Sequence, residues 1–363
     1  MNGTNTQVSL TPYTAGEGAY ADFARIARPH GRRVMLIGGQ RALRAGEARL
    51  RAAMSDTELQ VTSCLEASPP CSMAQAKEAA RAARDAKADI ICGMGGGKAI
   101  DLAKAAGELC GLPVFTFPTI AATCAAVTAL SVMYRPDGAF DRFLFLRRTP
   151  VHAFVDMAVI AAAPWQYLRA GIGDSLAKHV ETPVSARGHM LTQSDSMGVA
   201  LAQGLWQALV PCAAQAVADN RTGVTSPALS AAALTCIVSV GYVSLLVREQ
   251  FNGALAHSLY YALEHLPAMQ RVLHGDAVAW GALVQLVMDG QREKATQLLG
   301  LLRALGLPCS LGQMGVSRVD GEVEQSLRAA AHQPDMACLP YPVTGEDILQ
   351  AVADAEQLVE GGA

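Results

Sequence analysis

Two groups of residues in this 363-residue chain have types and spacing suited to chemistry. The first is Gly93-Met94-Gly95-Gly96-Gly97-Lys98, set between a β-like run and a helix-like run. Glycines let the backbone approach a ligand closely, and the helix that follows offers free amide hydrogens to an anion such as a pyrophosphate. The run departs from the usual Gly-x-Gly-x-x-Gly fingerprint, because Lys98 stands where the last glycine belongs. A tight turn is the alternative use of the same residues. The second group is Asp174, His257 and His274. One hard carboxylate and two imidazoles suit a divalent metal with a coordination position left open for substrate. Separations of 83 and 17 residues leave their convergence open. Read locally, His274 starts the apolar helix DAVAWGALVQLVM, and His257 is a core histidine within FNGALAHSLYYAL. No Ser/His/Asp or Cys/His arrangement competes, and Cys124, with no basic partner nearby, reads as a pocket-lining thiol.

The elements that must position these groups fall into two halves. Up to about residue 160 the chain alternates strand and helix. Strand-like runs are RVMLIG (33–38), ELQVTSCL (58–65), ADIICGMG (88–95), LPVFTF (112–117) and VHAFVDMAVI (151–160). Ala-rich helical runs lie over 74–88 and 98–109. Such alternation predicts a mostly parallel sheet flanked by helices. ALSVMY and FDRFLFL, joined through Pro-Asp-Gly, predict an antiparallel hairpin. After Pro164, suited to the first turn of a helix, the sequence turns Ala- and Leu-rich with no convincing strand. The expected domains are therefore 1–162, α/β, and 163–363, all-helical. The tail GEDILQAVADAEQLVEGGA reads as a closing amphipathic helix fraying at its two glycines.

Composition narrows the class. Apolar residues form 51% of the chain and charged residues 17%, enough for a substantial core. The net charge of −3, without a basic run, gives no indication of a nucleic-acid or anionic-membrane surface. Nine cysteines without a Cys-x-x-Cys pair predict reduced thiols and a cytoplasmic setting. The N-terminus shows no basic region followed by an apolar core, so no secretory signal is expected. Two uncharged windows, 109–134 and 222–247, exceed a bilayer's span. Prolines, four threonines and a serine make the first a buried strand and loop, and the second reads as a core helix.

The segments GMGGGKAIDLAKAAG, PTIAATCAAVTALSVMY, AGIGDSLAKHVE, ALAHSLYYAL and LHGDAVAWGALVQL, in this order from about 93 to 287, resemble the iron-containing (group III) alcohol dehydrogenase superfamily. The chain is most similar to its glycerol dehydrogenase branch and, within that, to hydroxycarboxylate dehydrogenase-type members. The resemblance implies a dinucleotide-binding domain, an all-helical domain, and a cofactor and metal in a cleft between them. It places Asp174, His257 and His274 as metal ligands and Gly95, Gly96, Gly97 and Lys98 in the pyrophosphate loop. Thr119, Thr123, Thr128, Leu130 and Tyr134 match positions around the adenosine and nicotinamide. The implied partners are a small-molecule substrate and further copies of the chain, as a homodimer or larger homo-oligomer.

Three departures from the branch shape the expected chemistry. Glycerol dehydrogenases place an aspartate where this chain has Cys124, whereas hydroxycarboxylate-type relatives also carry cysteine. Lys178 replaces the fourth, histidine ligand of iron-type members, which favours zinc on three ligands, with iron, manganese or nickel as other candidates. Tyr260 stands where a histidine is frequent, which interrupts a proton relay through that position. The expected activity is interconversion of a hydroxyl and a carbonyl with NADP(H) or NAD(H). NADP(H) is expected to be preferred or at least accepted, because RVMLIG runs into Gly39-Gln40-Arg41, with no acid to repel a ribose phosphate and an arginine that pairs with it or else stands as an exposed charge at a helix start. The expected substrate is a 2-oxo acid or 2-hydroxy acid. Lys178, one helical turn from Asp174, would pair with its carboxylate, or else with Asp174 or Glu181 along the helix. Glycerol dehydrogenation, a dehydroquinate synthase-like cyclase and a non-catalytic relative are the alternatives.

Overall fold

A computed structural model describes residues 8–317 and 321–361. Two compact units emerge among the described residues, one formed by 8–165 and 218–245, the other by 166–217, 246–317 and 321–361. The first carries a six-stranded parallel sheet in the order β1 (Tyr13–Gly16), β8 (His152–Asp156), β5 (Val114–Pro118), β4 (Ile90–Gly95), β2 (Arg33–Gly38) and β3 (Gln60–Glu66). The central strands β4, β5 and β8 are buried along their whole length, as parallel strands covered on both faces must be.

On one face Phe23 packs edge-on against Phe115, Phe117 and Phe154. On the other, Ala76, Ala79, Ala80 and Ala83 of the helix Met73–Asp85 meet Ala103 and Ala106 of Gly97–Cys110. Alanine at these positions lets both helices lie close to the sheet. Ser72 and Gln75 close a reciprocal capping box at the first helix's start. Leu130–Tyr134 (β6) and Phe140–Phe145 (β7) form the expected antiparallel hairpin.

The structure departs from the sequence reading at four places. β1 is an additional edge strand, too short to give a periodic signal. The run 151–160 is strand only to Asp156, whose carboxylate accepts the Ala158 amide and caps a short helix, Met157–Ala161. The long helix Trp165–Ala186 starts one residue after Pro164. Residues 218–245, expected in the helical domain, group with the α/β unit instead. The buried Asn220 side-chain amide ties them there by donating to the carbonyls of Ile160, Ala161 and Ala163. Among the described residues, the stretch Pro227–Leu246 is long and apolar enough to cross a membrane, and 61% of its apolar window is buried; a bent pair, Gln193–Leu209 and Ala213–Thr222, passes only jointly. The glycine tail expected to fray at 361–362 lies partly outside the described residues.

The second unit is helical. Its core gathers Leu255, Leu259 and Leu263 of the helix Leu255–Leu263, Trp280 and Val284 of His274–Met288, and Ile348 and Val352 of Gly345–Gly361. The helices 165–186 and 274–288 pass so closely that a Cβ on Gly275 would overlap the Ala170 carbonyl, and one on Gly173 would meet Gly275. Arg169 and Asp276, a largely buried ion pair, clamp the same crossing.

Gly275→Ala should therefore destabilise the protein by about 3 kcal/mol, at the upper end of overpacking costs. Gly300→Ala, where nothing lies within 4 Å, should stabilise it by about 0.5–1 kcal/mol. Denaturant unfolding of both variants checks the contrast, and equal effects would show that the close crossing is not the cause.

Candidate metal and dinucleotide sites

The helix 165–186 builds the candidate metal site with a single stripe of side chains. Asp174, Lys178, Glu181 and Ser185 recur at steps of four, three and four, so all four emerge on one face. That face meets the segment 251–257. Ser185 donates to the Phe251 carbonyl, and Lys178 donates to the Asn252 backbone carbonyl and to its side-chain oxygen. Glu181, fully buried, accepts the backbone amides of Ala254 at 2.8 Å and His257 at 2.9 Å. One carboxylate thus satisfies amides left open at the start of the helix 255–263. Gln285, also fully buried, accepts the Leu255 amide beside it.

Glu181 also lies 2.5 Å from Nδ1 of His257. A proton on Nδ1 shared with this carboxylate leaves the Nε2 lone pair free, the arrangement that metal-bound histidines use. Nε2 of His257 and Nε2 of His274 each stand 3.7 Å from the same oxygen of Asp174. All three donor atoms lie within 4.8 Å of one another. Tetrahedral ligands about 2.1 Å from an ion stand ~3.4 Å apart, so a small contraction fits the trio to zinc or a similar ion. The 3.7 Å separations are too long for hydrogen bonds. These three donors therefore surround a point rather than satisfy one another.

The electrostatics agree with the geometry. Burial pushes the Asp174 carboxyl up, but His274, His257 and Lys178 outweigh it and hold the pKa below the usual value. Burial opposes a charge on His257, yet Glu181 overrides it and raises the imidazole pKa. Lys178 makes no ion pair within 4 Å among the described residues, so neither Asp174 nor Glu181 takes it up as the helical pairing would. Tyr260 sets its ring edge-on against His274, with centroids 4.5 Å apart.

In the α/β unit the expected cofactor residues gather at the C-terminal ends of the parallel strands. Gly38 pairs in register with Met94, and Gly95 with Pro118, so β2, β4 and β5 end side by side. Gly95 has φ +148°, which favours glycine, and Gly96 caps the helix 97–110 in an extended conformation. Side chains at Gly96 and Gly97 would meet Ile120 and the Thr123 hydroxyl. The glycines thus leave a cradle at a helix N-terminus with the 119–123 segment beside it. The Thr119 amide donates to the Gly95 carbonyl. Gly39 caps the helix Gln40–Met54, with Gln40 and Arg41 exposed in its first turn. The Lys98 ammonium sits 4.9 Å above the Tyr134 ring. Thr128 and Leu130 face the interior through their carbonyls, which accept from buried Lys104.

Sequence reasoning missed Glu181 as a site residue, although its spacing of seven from Asp174 puts it on the same helical face. It also missed Lys104, and Glu66, whose backbone pairs in register with Gly38. Glu66 places a carboxylate on the strand beside Arg41's turn, which only the sheet order reveals.

Residues 11–157 match the iron-containing alcohol dehydrogenase family. A glycerol dehydrogenase of Pseudomonas putida is 32% identical over 79% of this chain and 80% of its own length. The chain belongs to the iron-containing alcohol dehydrogenase family. As a member it is an oxidoreductase. Another relative in sequence, hydroxycarboxylate dehydrogenase A of Escherichia coli, is 32% identical over 79% of this chain and 80% of its own. The crystal structure of glycerol dehydrogenase from Schizosaccharomyces pombe, 24% identical, shares the fold with a TM-score of 0.88, covering 99% of this chain and 92% of that one.

Glu181→Gln keeps an oxygen for the two backbone amides but loses the charge that orients His257. Zinc affinity, measured by competition with a chromophoric chelator, should fall 10–100-fold, the range for losing such a supporting group. Unchanged affinity in a folded variant would separate Glu181 from metal binding.

Proposed function

We propose that the chain is an NAD(P)-dependent oxidoreductase interconverting a small alcohol and its carbonyl compound, with one divalent metal held by Asp174, His257 and His274. The observation that carries this reading is the trio's geometry, three donors around one point with His257 oriented by buried Glu181. When bound, the metal supplies Lewis acidity, which polarises a carbonyl oxygen and eases deprotonation of a hydroxyl. The donor set, two imidazoles and a carboxylate without thiolate, suits zinc and also accepts iron, manganese or nickel. The glycine cradle at residues 95–97, with Lys98, receives the pyrophosphate, while Gln40 and Arg41 meet the adenosine ribose. Thr119, Thr123 and Tyr134 line the way towards the nicotinamide, and Thr128 and Leu130 back that wall through their bonds to Lys104. The role of the fold is to orient the transferring hydride, an effect worth up to about 7–11 kcal/mol in well-aligned reactions.

The substrate reading is a short 2-hydroxy acid and its 2-oxo acid. Two features support it. Lys178 is buried one turn from Asp174 with no carboxylate within ion-pair distance among the described residues, so its charge is available to a substrate carboxylate. Cys124 stands where the glycerol dehydrogenase branch carries an aspartate, which removes an anion that would repel such a substrate. The second reading is glycerol or another small polyol, favoured by the Pseudomonas putida relative and by the anchoring of Lys178 on Asn252. A reducing, cytoplasmic setting is supported by nine cysteines that are all free of disulfides.

A substrate panel on the wild type and on Lys178→Met, both with metal content matched, tests the reading. Oxo acids should outperform glycerol, and the variant should lose roughly 10–100-fold in oxo-acid kcat/KM, the ~1.5–3 kcal/mol of one charged hydrogen bond. If glycerol outperforms every oxo acid, or the variant leaves oxo-acid efficiency intact, the polyol reading replaces it.

In the same assays Arg41→Ala should weaken NADPH more than NADH. Glu66→Gln should shift preference the opposite way, because it removes a carboxylate near the expected ribose phosphate. A wild type with clear NADH preference, unmoved by Arg41→Ala, would assign that end of the site to NAD(H).

A further inference from the structure

The segment 119–129 has no regular secondary structure, yet much of it is buried. Buried backbone needs partners for its polar groups, and irregular backbone cannot supply its own. Here the carbonyls of residues 125–130 are all taken. Lys104 donates to Ala125 at 2.7 Å, to Thr128 at 3.3 Å and to Leu130. The Thr116 hydroxyl donates to Ala126 at 2.7 Å, and the Thr11 hydroxyl to Val127 at 2.8 Å. The Leu146 amide donates to Ala129 at 2.9 Å. Three of these six carbonyls therefore depend on one ammonium.

That ammonium is itself buried, with Lys104 only 2% exposed. Asp101, one helical turn earlier, balances it at 2.9 Å. The Asp101 carboxylate also accepts the Val132 amide, and its backbone carbonyl accepts the Ser131 hydroxyl. The pair rides on the helix 97–110, whose N-terminus is the glycine cradle. It thus links that helix to the segment carrying Thr119, Thr123, Cys124 and Thr128. Gly241 backs the segment, since a side chain there would press on Val127 and Cys124.

We propose that Lys104, balanced by Asp101, is a positioning residue that fixes the 119–130 segment against the glycine cradle, so that the dinucleotide meets a preformed wall. The inference deepens the dinucleotide reading of this unit and rests on it. Lys104 touches no reacting atom. Its contribution is rigidity, present before any ligand arrives, because each captured carbonyl holds the backbone in one place.

Backbone hydrogen exchange and NAD(P)H titration by nicotinamide fluorescence test it, on the wild type, Lys104→Met and the charge-balanced Asp101→Asn/Lys104→Met. In the ligand-free wild type, peptides covering 121–130 should exchange far more slowly than the exposed hairpin turn 135–139. In whichever variant folds, exchange over 121–130 should accelerate at least tenfold while β4 keeps its protection, and nucleotide affinity should fall at least tenfold. Substitutions that leave both quantities unchanged would overturn the proposal. So would a wild-type segment exchanging as fast as the turn, a result that needs no folded variant. A wild type that binds neither dinucleotide would instead refute the function proposed above, and the exchange comparison would still judge whether Lys104 orders the segment.

Discussion

The helical unit depends on one buried carboxylate. Glu181 has no access to solvent and is surrounded by the donors it needs, two backbone amides and the Nδ1 of His257. A buried carboxylate without such donors is strongly unfavourable. The requirement therefore runs both ways. The helix 255–263 needs an acceptor at its start, Glu181 needs donors, and His257 at the third helical position falls where both needs are met. Asp174 lies two turns earlier on the same face, and His274 arrives by a helix crossing that only glycines at 173 and 275 permit.

The α/β unit uses the same device with the opposite sign. Glu181 gathers amide hydrogens at a helix start, and Lys104 gathers carbonyl oxygens from an irregular segment. Each is a charged side chain on a long helix, buried and directed at backbone that has no regular partner. Such groups raise the cost of any alternative arrangement, because displacing the backbone leaves both it and the charge unsatisfied. Rigid side-chain positions follow, and a metal or a dinucleotide needs them before it binds.

Much of this was legible in the residues. Hydrophobic runs of strand length between Ala-rich helical runs gave the parallel sheet, and Pro-Asp-Gly gave the hairpin. His274 sits at a helix start as its neighbours suggested, and the quoted segments carried the family likeness. His257 lies within a helix as read, but at its third position. The helix begins only at Leu255, because Gly253 and Ala254 precede it as irregular backbone and the Ala254 amide donates to Glu181 rather than back along the chain. β1 escaped notice because four residues give no period to detect. Residues 218–245 were assigned by helical character alone, while long-range contacts tie them to the α/β unit, among them the Asn220 amide to carbonyls about 60 residues away and the Tyr242 hydroxyl to the Thr11 carbonyl. Lys104 and Glu66 belong to the same class. Long-range pairing defines them, and no local spacing encodes it.

The central claim is that Asp174, His257 and His274 form one metal site. X-ray absorption spectroscopy of protein loaded with one equivalent of zinc tests it most directly. The expected spectrum has a first shell of nitrogen and oxygen at about 2.0–2.1 Å, with multiple scattering from two imidazoles and no sulfur. A sulfur shell from any of the nine thiols, or scattering from fewer than two imidazoles, would contradict it.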